Sequence, residues 1–75
     1  MEECFGFAGA LSALESGKRV SRKNWNGKGA YVELQRPDQN SKMTLPYIYM
    51  KTTYGDRVPW LASQSDLLGK DWYLV

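Results

Sequence analysis

The sequence predicts an α+β domain: an N-terminal helix packed on a meandering antiparallel sheet, with a short second helix before the last strand. Three patterns predict it. Phe7, Ala10, Leu11 and Leu14 recur at the i, i+3, i+4, i+7 spacing of a helix with one buried face. Residues 30–35 and 47–51 alternate in character from one position to the next, which is the period of a strand. Ser63-Gln64-Ser65-Asp66 has the S-x-x-D spacing of a helix start, and β-favouring residues follow it at 71–75.

Taken in order, the first helix spans about 6–16. Glu2 and Glu3 suit its positive end, and Gly17 suits the position just past its C-terminus, with Lys18 and Arg19 beyond. Gly6 and Gly9 weaken this helix slightly or let another backbone come close. Val20-Ser21-Arg22 reads as a short strand leading into a turn at 24–29. In the next strand Ala30, Val32 and Leu34 share one face, with Tyr31, Glu33 and Gln35 on the other. Pro37, Asp38 and Asn40 make 36–42 a loop. Tyr47-Ile48-Tyr49-Met50-Lys51 follows as a strand with Ile48 and Met50 opposite the tyrosines. Tyr54-Gly55-Asp56 turns the chain into a short strand at Arg57-Val58, and Pro59 marks its end or a sheet edge. Ser63 caps the second helix, Leu67 and Leu68 are expected to be buried on it, and Gly69 ends it. Ala30, Val32, Leu34, Ile48 and Met50 then pack under the first helix. Tyr31, Tyr47 and Tyr49 lie on the opposite face, where another copy of the chain is expected to cover them.

Composition narrows the function. Seventy-five residues suffice for one domain, expected over 1–75. A chain of this size buries only about 60% of its unfolded surface, so oligomerisation is the expected supplement to a small core. Histidine is absent and Cys4 is the one cysteine. That excludes a disulfide within the chain and the Ser-His-Asp and Cys-His arrangements, and it argues against a metal site. Glu33, Asp56, Asp66 and Asp71 leave a carboxylate pair conceivable, in no recognisable catalytic spacing. No apolar run approaches the ~20 residues that cross a bilayer. The acidic Met1-Glu2-Glu3 is unlike a secretory leader, so a cytoplasmic protein is expected. Net charge is only +2, yet Lys18, Arg19, Arg22, Lys23 and Lys28 fall together with no acid between Glu15 and Glu33. The cluster reads either as an anion site or as a solvated helix end and strand.

Two stretches carry the candidate chemistry. Trp25-Asn26-Gly27-Lys28-Gly29 sets an indole beside an amide, two glycines and a cation, the parts that hold a flat, phosphate-bearing molecule. Asn-Gly is equally an ordinary tight turn, with the tryptophan as core. Trp60 precedes the helix start at Ser63, where backbone N–H groups favour phosphate and Asp66 can accept from ribose hydroxyls. The alternative there is mutual capping by Ser63 and Asp66, with Trp60 in the core.

Across the whole chain, the sequence resembles a phage and prophage family, the Thoeris anti-defence protein of the second type. The matching segments are Gly17-Lys18-Arg19-Val20-Ser21-Arg22-Lys23-Asn24-Trp25-Asn26-Gly27-Lys28-Gly29, Met50-Lys51-Thr52, and Val58-Pro59-Trp60-Leu61-Ala62-Ser63-Gln64-Ser65-Asp66-Leu67-Leu68 with Asp71-Trp72. The resemblance implies a non-enzymatic sponge that binds and sequesters cyclic ADP-ribose isomers, including glycocyclic ADP-ribose. It implies homotetramers with ligand sites between subunits, no cofactor, and in some members a separate site for cyclic di- or trinucleotides. The loop 36–46 is shorter than its equivalent in many members. On this footing the candidate ligand residues are Trp25, Asn26, Gly27, Lys28, Trp60, Ala62, Ser63, Asp66, Arg22 and Met50. Trp25 and Trp60 would stack on adenine, and Asn26 and Asp66 would read ribose or base edges. Ser63, nearby N–H groups and Lys28 or Arg22 would hold the pyrophosphate. Two rivals stand beside this reading: a small basic nucleic-acid-binding module and a hydrolase of the same nucleotide.

Overall fold

The computed structural model describes residues 3–25 and 29–75. Helix α1 (Phe7–Glu15) leads into strands β1 (Val20–Arg22), β2 (Tyr31–Gln35), β3 (Tyr47–Lys51) and β4 (Arg57–Pro59). Helix α2 (Gln64–Leu68) and strand β5 (Trp72–Leu74) follow. The fold is the expected α+β arrangement. The sheet runs β4-β3-β2-β1-β5, and every neighbouring pair is antiparallel. β1 to β4 form the meander, and β5 returns to the free side of β1.

Local chemistry explains the boundaries. At the C-terminus of α1, Gly17 N–H donates to the Leu14 carbonyl and Lys18 N–H to the Ala13 carbonyl. This paired closure needs a left-handed residue, and Gly17 supplies it at φ 87°. Gly55 does the same at φ 93° in the β3–β4 turn. Pro59 ends an edge strand, where its missing N–H leaves no ladder position empty.

The core is smaller than the alternating strands imply and lies nearer β1 and β5. Ala10, Leu14, Val20, Val32 and Trp72 are fully buried, and Leu34, Ile48, Met50 and Phe7 pack partly buried around them. Leu11 corrects the expected helix stripe. It is 40% exposed, and Ala13 takes the inward position beside Ala10 and Leu14. Gly9 admits the Phe5 side chain, which leaves a Cβ there only 3.0 Å from the ring, and at Gly6 the Gly69 backbone carbonyl comes within 3.8 Å of the Cβ position.

Leu67 and Leu68 also correct an expectation, being 46% and 74% exposed. The inward side of α2 is occupied by Asp66, and positions one and two residues further on do not share its face. On the sheet face away from α1, Tyr31 and Tyr49 are tied to charged neighbours, while Tyr47 is exposed. Tyr49 donates its phenol proton to Glu33. The Arg19 guanidinium lies 4.9 Å and the Lys51 ammonium 5.6 Å from the Tyr31 ring centre. That face is therefore an aromatic and ionic lattice more than a bare apolar one.

Candidate functional site

Arg22 ends β1 with its side chain turned inward, at the position paired with Trp72. Its Nη1 lies 2.9 Å from Asp66 Oδ1 and its Nε 2.9 Å from Asp71 Oδ1. Arg22 and Asp66 are only 8% and 7% exposed, so the pair is largely removed from water. Ser63 and Asp66 form a reciprocal capping box: Ser63 N–H donates to Asp66 Oδ2 at 2.9 Å, and Asp66 N–H to Ser63 Oγ at 3.1 Å. The Trp25 indole N–H donates to Asp66 Oδ1 at 3.3 Å, and the Trp72 indole N–H to the Asp66 carbonyl at 2.9 Å. Asp66 is the hub that joins β1, the turn after it, α2 and β5.

Electrostatics follow from these contacts. Burial pushes the Asp66 carboxyl upward, but hydrogen bonds from Ser63, Arg22 and Trp25 outweigh it and leave it below its usual value. Burial acts the same way on Asp71, and donation from Arg22 and the Asn24 N–H again brings it below its usual value. Arg22 is held above its usual value, chiefly by its hydrogen bond to Asp71.

Three indoles gather over this network. Trp25 and Trp60 lie 6.3 Å apart at 67°, Trp25 and Trp72 5.3 Å apart at 79°, and Trp60 and Trp72 6.0 Å apart at 87°. These edge-to-face contacts suit the quadrupoles of the rings. Trp72 is fully buried, while Trp25 and Trp60 keep part of their surface exposed. Trp60 also walls a cleft of about 530 Å³ at the β3–β4 side, with Gln35, Met43, Tyr47, Tyr49 and Arg57 among its other walls.

The structure thus brings Arg22, Trp25, Trp60, Ser63 and Asp66 into one cluster. Ala62 is half-buried in the segment between Trp60 and Ser63. Met50 lies on the inner face of β3, opposite Val32 and Val58, and packs against the hydrophobic core. Asn26, Gly27 and Lys28 lie outside the described residues. The polar groups of Arg22 and Asp66 are engaged with each other and with their neighbours. Sequence reasoning missed the cleft residues Tyr49, Arg57 and Gln35, which belong to no motif, and the role of Asp71, whose one signal was the Asp71-Trp72 pair. Among the described residues, no cluster of metal-ligating side chains occurs and no helix is long and apolar enough to cross a membrane.

Comparison with known proteins gives two findings. A family described as the Thoeris anti-defense 2-like domain matches residues 5–75. The chain is also similar to the protein named Thoeris anti-defense 2 from Bacillus phage SP01, at 30% identity over 88 aligned positions. That alignment takes in 100% of this chain and 99% of the relative. It is longer than the chain itself, so the relative carries residues that this chain lacks.

Proposed function

The chain belongs to the Thoeris anti-defense 2-like family, and from that premise we propose that it is a sponge that binds a cyclic ADP-ribose-type signal and holds it unreacted. An anti-defence role follows from the family. The observation that carries the ligand reading is the position of Trp60, which packs on Trp25 and Trp72 and also walls the cleft of about 530 Å³. That volume falls in the range of small-molecule sites. An indole held edge-on by two others offers its remaining surface to a base without having to be ordered first.

The charges favour holding over hydrolysis. Asp66 and Asp71 are kept below their usual values and both paired with Arg22, so neither carboxyl is poised to exchange protons near neutral pH. They also count against a nucleic-acid track. Within the basic stretch, Arg22 is buried in the network and Arg19 lies on Tyr31, which breaks the row of cations a phosphate backbone needs.

A sponge that outcompetes a receptor needs nanomolar affinity, about −12 kcal/mol. Stacking supplies ~1–3 kcal/mol per base and falls short. The remainder calls for enclosure and charge-assisted bonds to phosphate, which a second subunit closing over Trp25 and Trp60 would add in the host cytosol. The test is to saturate the protein with glycocyclic ADP-ribose, remove free ligand, denature by heat and identify what is released. Intact ligand in stoichiometric amount is expected. A cleaved product would establish the hydrolase instead, and the absence of any bound ligand would overturn the sponge. Trp60→Ala should abolish binding with the assembly preserved; unchanged affinity by titration calorimetry would remove its stacking role.

A further inference from the structure

We infer that Asp71 is a positioning residue: it clamps the root of the Trp25 turn to β5 and α2, so ligand binding depends on a carboxylate that touches no ligand. The inference rests on the ligand-binding reading above. Both Asp71 oxygens are committed inside the chain. Oδ1 accepts from Arg22 Nε at 2.9 Å and Oδ2 from the Asn24 backbone N–H at 2.8 Å. The Asp71 carbonyl takes the Lys23 N–H at 3.1 Å. One residue at the start of β5 therefore holds three consecutive positions, 22 to 24, as the chain leaves β1.

The hold extends to the indole. Trp25 N–H donates to the Arg22 carbonyl at 3.2 Å, and the Trp25 ring nitrogen donates to Asp66, which Arg22 fixes in turn. Asp71 orients Arg22, Arg22 orients Asp66, and Asp66 orients Trp25. The clamp is tight against backbone as well. A Cβ on Gly69 would stand 2.9 Å from both Arg22 Nη2 and Asp71 Oδ1 and 3.0 Å from the Ser65 carbonyl oxygen. Position 69 therefore leaves no room for a side chain beside the pair.

Asp71→Asn tests this in the full chain, because an amide nitrogen must then face either Arg22 or the Asn24 N–H, donor against donor. Asp71→Glu is the second variant. It keeps a charge for Arg22 but moves the oxygens off the Asn24 N–H. Leu34→Val serves as a control for ordinary loss of stability in the core. The readouts are Asn24 amide exchange and the Trp25 indole N–H resonance by NMR, with glycocyclic ADP-ribose affinity by calorimetry at matched folded fraction. Asp71→Glu should lose Asn24 protection, and both Asp71 variants should shift the Trp25 resonance and weaken binding about tenfold to a hundredfold. Leu34→Val should leave all three near wild type. Preserved Asn24 protection in Asp71→Glu, or unchanged affinity in both variants where the wild type binds, overturns the inference. Should the wild type bind no probe, the ligand reading falls, and the amide and indole signals decide the clamp by themselves.

Discussion

At Asp66 a single carboxylate accepts from Arg22, Trp25 and Ser63 while almost fully out of water. Removing one partner of such a pair leaves an uncompensated charge, which costs ~3–5 kcal/mol. A chain of this length has total stability on the order of 4–11 kcal/mol, so Arg22→Leu should leave a large unfolded fraction in urea titration. The double variant Arg22→Leu with Asp66→Leu should cost less than the two single changes together. Acid should act through the same groups. Their carboxyls lie below their usual values in the folded state, so their stabilisation is complete above the unfolded value of about 4. It drains away as pH falls through the lower folded values. Asp66→Asn should flatten the fall in denaturation midpoint between about pH 5 and 2; an unchanged acid limb would show that Asp66 carries none of it. Gly69→Ala should cost about 1–3 kcal/mol by thermal melting, since its Cβ has no free volume to enter.

At the scale of elements, the caps predict measurable costs. Ser63→Ala removes one half of the α2 box and should lower stability by about 1 kcal/mol. Gly17→Ala forces a side chain into φ 87° and should cost a similar ~1 kcal/mol. Denaturant midpoints with unchanged slopes would report both. These same signals made the elements legible. Gly17, Ser63, Gly69, Gly55 and Pro59 write their own instructions within a few residues, and all seven elements stand where such punctuation places them. Residues whose fate depends on distant partners were not legible in this way. Arg22 and Asp66 stand 44 positions apart, Arg22 and Asp71 49, and no local spacing announces either pair. Leu67 and Leu68 look like core residues until Asp66 is seen to own the inner side of α2. Trp72 reads as one β-favouring residue among several, although it is the largest fully buried side chain. Of the candidate site, the Ser63–Asp66 box was explicit in the sequence, whereas the edge-to-face packing of Trp25, Trp60 and Trp72 required the fold.

Across the whole molecule, two surfaces differ in character. One carries the three-indole cluster and α2. The other is the outer sheet face, with Tyr49 bound to Glu33 and Tyr31 to Arg19 and Lys51. A site closed between copies requires a native mass that is a multiple of 8.6 kDa, and light scattering at micromolar concentration should find one. A monomer there would remove the enclosure that nanomolar affinity needs. The place of β5 in the sheet has a further effect, on how the molecule comes into being. Trp72 pairs with Arg22 on one side and bridges Phe5 on the other, and it fills the centre of the core. Without that indole, α1 and the four-strand meander leave an open slot among Ala10, Leu14, Val20 and Val32. Docking of β5 is therefore the step that closes the core, and it must join segments as far apart in the chain as Phe5 and Trp72.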